Sequence, residues 1–222
     1  MKKSKISTFY PVLINLHKFP CLVIGGGQVA FRKVQSLLSY NVKIAVLSPN
    51  ICKPLKALIK KNKIKLIPQP YSKEYIESYK IIFSATNKRN INQQVFNDCK
   101  TENKLLNVVD VPDLCDFILP AVVQRGDLTI SVSSQGRAPF FAKEMKNKID
   151  HIFPSYYEDI IDLAGNFRSI IMKNEKLNLP KIKEKAFIKF FTIDWQKVLK
   201  NEGKKKAKVY MKNIIKELEI EK

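Results

Sequence analysis

The first half of this 222-residue sequence predicts an α/β fold built on a doubly wound parallel sheet, and two observations carry the prediction. Short apolar, β-branched runs recur at 21–25 (CLVIG), 42–47 (VKIAVL), 64–68 (IKLIP), 80–86 (KIIFSAT) and 104–110 (KLLNVVD). Segments of helical period separate them, notably Val29 to Tyr40, Ile51 to Asn62 and Asn90 to Glu102. Continuous apolar runs of strand length, spaced by helical patterns of about 10–15 residues, are what parallel strands covered on both faces require.

The first strand runs into three glycines, CLVIGGGQVAFRK at 21–33. Gly25, Gly27 and Ala30 fit the spacing G-x-G-x-x-G/A directly after a strand and directly before a helix. The first glycine permits the tight turn, the second lets backbone approach a pyrophosphate, and the small third residue lets helix pack on strand. The helix start then offers free N–H groups to the anion. This context makes the domain Rossmann-type and nucleotide-binding, the plain alternative being a glycine turn with no ligand. An acid that would hold the ribose is expected about 20 residues further on. The sequence there is VLSPN, with Ser48 and Asn50 and no acid, so this position does not choose between NAD and NADP. Asn50 keeps the capacity to hydrogen-bond a ribose hydroxyl.

The later strands end in SATNK (84–88) and NVVD (107–110). Ligands of open α/β sheets bind beyond the carboxyl ends of the strands, so Thr86, Asn87, Asn107 and Asp110 are expected around the same cleft as the glycine loop. Asp110, followed by Asp113 and Asp116, is the strongest catalytic candidate: a carboxylate there accepts a proton or holds a metal ion. A turn or helix cap is the competing role. In SVSSQGRAP (131–139), Ser133 and Ser134 are candidates to bind an anion, Gly136 to admit a ligand to the backbone, and Arg137 to pair with carboxylates. A helix-capping turn is again the alternative.

After Asp110 the rhythm breaks. Two strands are expected at Phe117 to Leu119 and Leu128 to Ser133, punctuated by Pro112, Pro120 and Pro139. From Ala138 the pattern is helical, with Tyr156, Ile160, Leu163, Phe167 and Ile171 along one face. Pro154 and Pro180 mark helix starts. Phe187, Phe190, Phe191, Trp195, Val198 and Leu199 supply the apolar material of a small helical bundle, and EGKKKAKVYMKN (202–213) lies on an exposed terminal helix. The expected domains are 1–112, 113–153 and 154–222.

No apolar run approaches the roughly 20 residues that span a bilayer. Residues 1–20 lack the apolar stretch of a secretory signal, so a cytoplasmic protein without a membrane partner is expected. Cys21, Cys52, Cys99 and Cys115 form no C-x-x-C pair and only His17 and His151 accompany them, which predicts reduced thiols and no metal site. The net charge of +20 attracts anions, whether nucleic acid, a polycarboxylate or a phosphorylated small molecule. The lysines are spread along the chain with no recognisable groove-reading helix, so nucleic acid is not the expected partner. A lysine-biased composition accounts for much of the surplus.

YPVLINL, CLVIGGGQVAFRK, IIFSATN, NVVDVPDLCDFILPA and ISVSSQGRAP occur in this order. Together they resemble the precorrin-2 dehydrogenase and sirohydrochlorin ferrochelatase family, including the N-terminal half of bifunctional siroheme synthase, over roughly Phe9 to Pro154. The resemblance implies NAD-dependent oxidation of precorrin-2 to sirohydrochlorin, with Fe²⁺ insertion as an activity of some members. It implies a Rossmann NAD domain, a dimerisation element at 113–153, a C-terminal helical domain, and a homodimer with its active site between domains. Carried over by position, cofactor contacts fall at Gly25, Gly26, Gly27, Gln28, Val29, Pro49, Asn50 and Thr86. The essential aspartate falls at Asp110, and a serine phosphorylated in some members falls at Ser134. Substrate contacts are expected at Asn107, Ser133, Ser134, Gly136 and Arg137. A different NAD(P) oxidoreductase, or a non-catalytic nucleotide-sensing or nucleic-acid-binding Rossmann protein, would share the glycine loop.

Overall fold

A computed structural model describes residues 9–220, so the expectation for the first eight residues lies outside the described part. The chain forms two compact units, Met1–Leu119 and Pro120–Lys222.

The first unit alternates strand and helix: β1 (Cys21–Ile24), α1 (Gln28–Leu38), β2 (Ile44–Leu47), α2 (Lys53–Lys60), β3 (Lys65–Ile67), β4 (Ile81–Ser84), α3 (Arg89–Thr101) and β5 (Leu105–Val108). The strands form one parallel sheet in the order β3-β2-β1-β4-β5, the doubly wound arrangement expected. Alternate residues feed opposite faces. Cys21, Val23, Ile44, Val46, Ile81 and Phe83 pack with Ala30, Val34, Leu37 and Leu55 of α1 and α2. Leu22, Ile24, Ala45, Leu47, Ile82 and Leu106 pack with Val95 and Cys99 of α3. Both faces are dry, which is why the strands read as unbroken apolar runs. Each of α1, α2 and α3 is followed by an asparagine at positive φ, Asn41 (50°), Asn62 (52°) and Asn103 (49°). Asparagine tolerates this left-handed conformation, which turns the chain back toward the next strand.

Ile24 pairs with both Leu47 and Ser84, Leu47 with Ile67, and Ser84 with Val108. The strands therefore end level, and Gly25, Ser48, Ala85 and Val109 line one edge of the sheet.

In the second unit, β6 (Ala121–Arg125) and β7 (Leu128–Val132) form an antiparallel hairpin. Its two-residue turn places Gly126 at φ 54°. The strand expected at Phe117 to Leu119 is thus found instead at 121–125, beyond Pro120. Residues 117–119 precede the ladder, and Val122 and Val123 are the β-branched pair that enters it. Arg125 ties the hairpin to α4 (Pro139–Ile152): its Nε donates to the Phe153 carbonyl at 2.6 Å and a terminal nitrogen pairs with Asp150 Oδ1 at 3.0 Å.

α5 (Tyr157–Lys173), α6 (Pro180–Phe190), α7 (Trp195–Asn201) and α8 (Gly203–Ile220) complete the bundle. Leu163, Phe167 and Ile171 of α5 meet Ala207, Met211, Ile214 and Leu218 of α8 around Phe190 and Trp195. Phe191, expected as core or interface, is 78% exposed where it follows the last turn of α6. Phe167 is 1% exposed and packs against Phe190 with tilted rings whose centroids lie 5.1 Å apart. Truncating such a buried aromatic costs about 3–5 kcal/mol. Phe167→Ala is accordingly expected to lower the denaturant midpoint of this unit. Trp195, the single tryptophan and 4% exposed, supplies the fluorescence signal that reads the shift.

Candidate cofactor site and acidic turn

The glycine loop crosses the switch point of the sheet, where β2 and β4 leave β1 on opposite sides. Its three glycines do different work. Gly25 has φ 122°, and a Cβ there would lie 2.5 Å from the Ala85 carbonyl oxygen, so the loop and the end of β4 touch through backbone. A Cβ on Gly26 would lie 1.9 Å from the Asn50 carbonyl oxygen, and Cys52 N–H donates to the Gly26 carbonyl at 2.8 Å. These two glycines are demanded by the protein's own packing. Gly27 is not: a Cβ there meets nothing within 4 Å. A residue that is glycine without crowding from its own chain, at the N-cap of an 11-residue helix whose first turn has no side-chain cap, fits a ligand that approaches the backbone. Gln28, Val29 and Ala30 present the uncapped N–H groups of that turn, the arrangement that holds a pyrophosphate.

Pro49 and Asn50 are exposed beside the loop, and Ser48 Oγ donates to the Asn50 carbonyl at 2.7 Å, fixing the bend. Thr86 is held from below: its hydroxyl donates to Asn92 Oδ1 at 3.0 Å, while Asn92 Nδ2 donates to the Thr86 carbonyl at 3.2 Å. Ser84 donates to the same Asn92 oxygen at 2.8 Å. Asn92, 6% exposed on α3, thus organises the strand end, a role that nothing in its local sequence announces.

The turn after β5 sorts its three aspartates. Residues 115–117 run back along the open edge of β5. Asp116 accepts from Leu106 N–H at 2.9 Å through Oδ2, and its own N–H donates to the Leu106 carbonyl. Cys115 Sγ accepts from Val108 N–H at 3.2 Å and faces the Val108 carbonyl at the same distance; burial pushes its thiol pKa up. Asn107 Nδ2 donates to the Phe117 carbonyl at 2.9 Å, and Phe117 meets Phe83 edge-on at 5.6 Å. Asn107 Oδ1 is buried without a partner. The carbonyl facing Nδ2 rules out a flipped amide. Asn107 is therefore a brace for the turn, and Asp116 is committed to backbone. Asp113 is exposed in a short 3₁₀ turn. Asp110 is exposed, makes no hydrogen bond among the described residues, and stands at φ 62°.

The four residues predicted on the SVSSQGRAP loop lie in the second unit. Gln135 (φ 56°) and Gly136 (φ 77°) are both left-handed. Ser133 Oγ accepts from Gln135 N–H at 3.1 Å and Ser134 Oγ from Ala138 N–H at 3.0 Å, so both hydroxyls shape the turn that starts α4. Arg137 is exposed. The two readings of this loop are compatible: the serines cap backbone and still have hydroxyl protons to donate. A groove of about 370 Å³ at the opposite end of the sheet, lined by Lys43, Lys63, Lys65 and Tyr79, belongs to none of these groups.

Residues 12–121 match the family model described as putative NAD(P)-binding. Over 179 residues the chain is 33% identical to a siroheme synthase of Vesicomyosocius okutanii subsp. Calyptogena okutanii (strain HA), covering 81% of this chain and 38% of that protein. It is 37% identical over 159 residues to a siroheme synthase of Psychrobacter sp. (strain PRwf-1), covering 72% and 33% respectively. The chain thus spans about a third of the length of these curated relatives. Among solved structures it superposes on SirC, a precorrin-2 dehydrogenase, with a TM-score of 0.73 at 20% identity, over 95% of this chain and 99% of that one. At that identity the shared property is the fold.

Proposed function

As a member of the family that includes the siroheme synthases, this protein is, we propose, an NAD-dependent precorrin-2 dehydrogenase that oxidises precorrin-2 to sirohydrochlorin. The observation that carries the reading is the acidic turn: of three aspartates after β5, only Asp110 is both free of hydrogen bonds and anchored at the strand end, on the sheet edge that also bears the glycine loop.

Gly27, Gln28 and Val29 would hold the pyrophosphate, with Pro49, Asn50 and Thr86 against the nucleoside parts. Bound there, the nicotinamide supplies the acceptor for two electrons and one hydrogen. The oxidation also releases a proton, and Asp110 is the base assigned to take it. Asn92 sets Thr86, Gly26 seats the loop on Asn50, and the Asn107, Cys115 and Asp116 contacts hold the turn that carries Asp110. Arg137 is a donor for a substrate carboxylate, with Ser133, Ser134 and Gly136 shaping its loop. We assign NAD over NADP on kinship alone. Phe140, Phe141 and Ile152 on α4 are 78%, 54% and 63% exposed, which supports pairing with a second copy through this element. By kinship with these biosynthetic enzymes the protein is assigned to the cytoplasm.

Parallel assays with precorrin-2 and either NAD or NADP test the assignment. Faster turnover with NAD is expected, and a preference for NADP would reverse the cofactor choice. Adding Fe²⁺ to the same reaction shows whether the product is carried on to a metallated macrocycle.

A further inference from the structure

Helix α3 buries three residues, Asn92, Val95 and Cys99, at the spacing of one helical face. Val95 and Cys99 pack into the apolar layer on that side of the sheet. Asn92 is the exception: a primary amide only 6% exposed, where an apolar side chain would fill the space without giving up hydration.

Its hydrogen bonds show what the amide does there. Nδ2 donates to the Thr86 carbonyl at 3.2 Å, which fixes the orientation of the amide, because a carbonyl only accepts. Oδ1 accepts from Thr86 Oγ1 at 3.0 Å and from Ser84 Oγ at 2.8 Å. Asn92 thus holds Thr86 at two points, side chain and main chain, and ties both to the last residue of β4.

These bonds leave Thr86 no side-chain proton to give. A hydroxyl has one. That of Thr86 is directed to Asn92, with the Lys88 carbonyl at 3.3 Å as its other acceptor, and its oxygen accepts from Lys88 N–H at 3.1 Å. The Thr86 N–H is different, for it makes no hydrogen bond among the described residues. It also lies at the glycine loop, since a Cβ on Gly25 would stand 3.4 Å from the Thr86 nitrogen.

We propose that Asn92 is a positioning residue for the cofactor, clamping Thr86 so that its backbone N–H, and not its hydroxyl, is the donor offered to the nucleotide. The inference rests on the glycine loop holding a nicotinamide nucleotide. With its carbonyl and its side chain both fixed, Thr86 does not turn about its own dihedrals, and its N–H is aimed before the ligand arrives. A donor set in advance binds more tightly, because no ordering is left to be done on association.

The test is a calorimetric NAD titration of the full protein and of Thr86→Val, Asn92→Ala, Asn92→Asp and the double variant Thr86→Val/Asn92→Ala, with the KM for NAD measured alongside. Thr86→Val keeps the N–H and the carbonyl hold and loses the hydroxyl alone, so NAD affinity is expected to fall by about threefold, the effect of one hydrogen bond. Asn92→Ala releases both holds and is expected to weaken NAD by about tenfold, with the KM for NAD rising in step. The double variant should be no weaker than Asn92→Ala, because Asn92 acts through Thr86. Asn92→Asp keeps size and both hydroxyl partners but turns an oxygen to the Thr86 carbonyl. It should lose at least as much NAD affinity as Thr86→Val, and it decides the matter if Asn92→Ala does not fold. A greater loss in Thr86→Val than in the Asn92 variants would make the hydroxyl the ligand contact and overturn the proposal. Additive losses in the double variant overturn it as well, as does a lowered unfolding midpoint in the Asn92 variants with NAD affinity and KM unmoved, the mark of a purely structural amide. Wild-type protein that binds no NAD is a different failure, which removes the cofactor reading and this inference with it.

Discussion

Asp110→Asn is expected to abolish precorrin-2 oxidation while leaving NAD binding and the fold intact. The substitution is nearly isosteric, and asparagine accepts the φ of 62° as readily as aspartate, as Asn41, Asn62 and Asn103 do elsewhere in this chain. No hydrogen bond within the described structure depends on the lost charge. The variant therefore isolates proton acceptance, whose removal typically costs about 10²–10⁴ in rate. Steady-state turnover measures the loss, and an NAD titration together with an unfolding curve shows that nothing else has changed. Asp110→Ala makes a poorer probe, because a left-handed alanine adds about 1–2 kcal/mol of backbone strain. Turnover within a few fold of wild type in Asp110→Asn would assign the proton to another group.

The second large effect is a contrast between adjacent glycines. Gly26→Ala is expected to disrupt the loop itself, since its Cβ would fall 1.9 Å from the Asn50 backbone carbonyl oxygen and 2.7 Å from Ser48 Oγ. Displacing backbone to admit a methyl in a packed site costs about 1–3 kcal/mol. Stability and NAD affinity should fall together. Gly27→Ala places its methyl in open space at an ordinary φ of −85°, so the unfolding midpoint should not move. NAD affinity should nonetheless drop by about tenfold or more, because the methyl occupies the line along which a pyrophosphate approaches the α1 N–H groups. Equal NAD affinity in Gly27→Ala and wild type would place the cofactor elsewhere.

Those features set by local patterns were legible in the sequence. The five parallel strands followed from apolar runs that need cover on both faces, and the glycine loop from spacing alone. The aspartate of interest was visible, but its distinction from Asp113 and Asp116 was not. That depends on residues 115–117 doubling back on β5, a pairing made by the Asp116 carboxylate and N–H, the Cys115 thiol and the Asn107 amide with partners seven to ten residues away. Asn92 was hidden for the same reason, its partners lying six and eight residues away across a strand-to-helix turn. The misplaced strand at 117–119 came from reading Pro120 as an end when the ladder starts after it. Phe191 was read as core or interface, and its exposure leaves it outside the helical core, a choice that composition alone does not make.

The central claim is tested most directly by one measurement: purified protein, precorrin-2 and NAD mixed without oxygen, with NADH and sirohydrochlorin followed together. The account predicts that both appear at the same rate and in equal amounts, at a rate far above the reaction without protein. Sirohydrochlorin forming no faster than in the protein-free control, with NAD and with NADP alike, would contradict it.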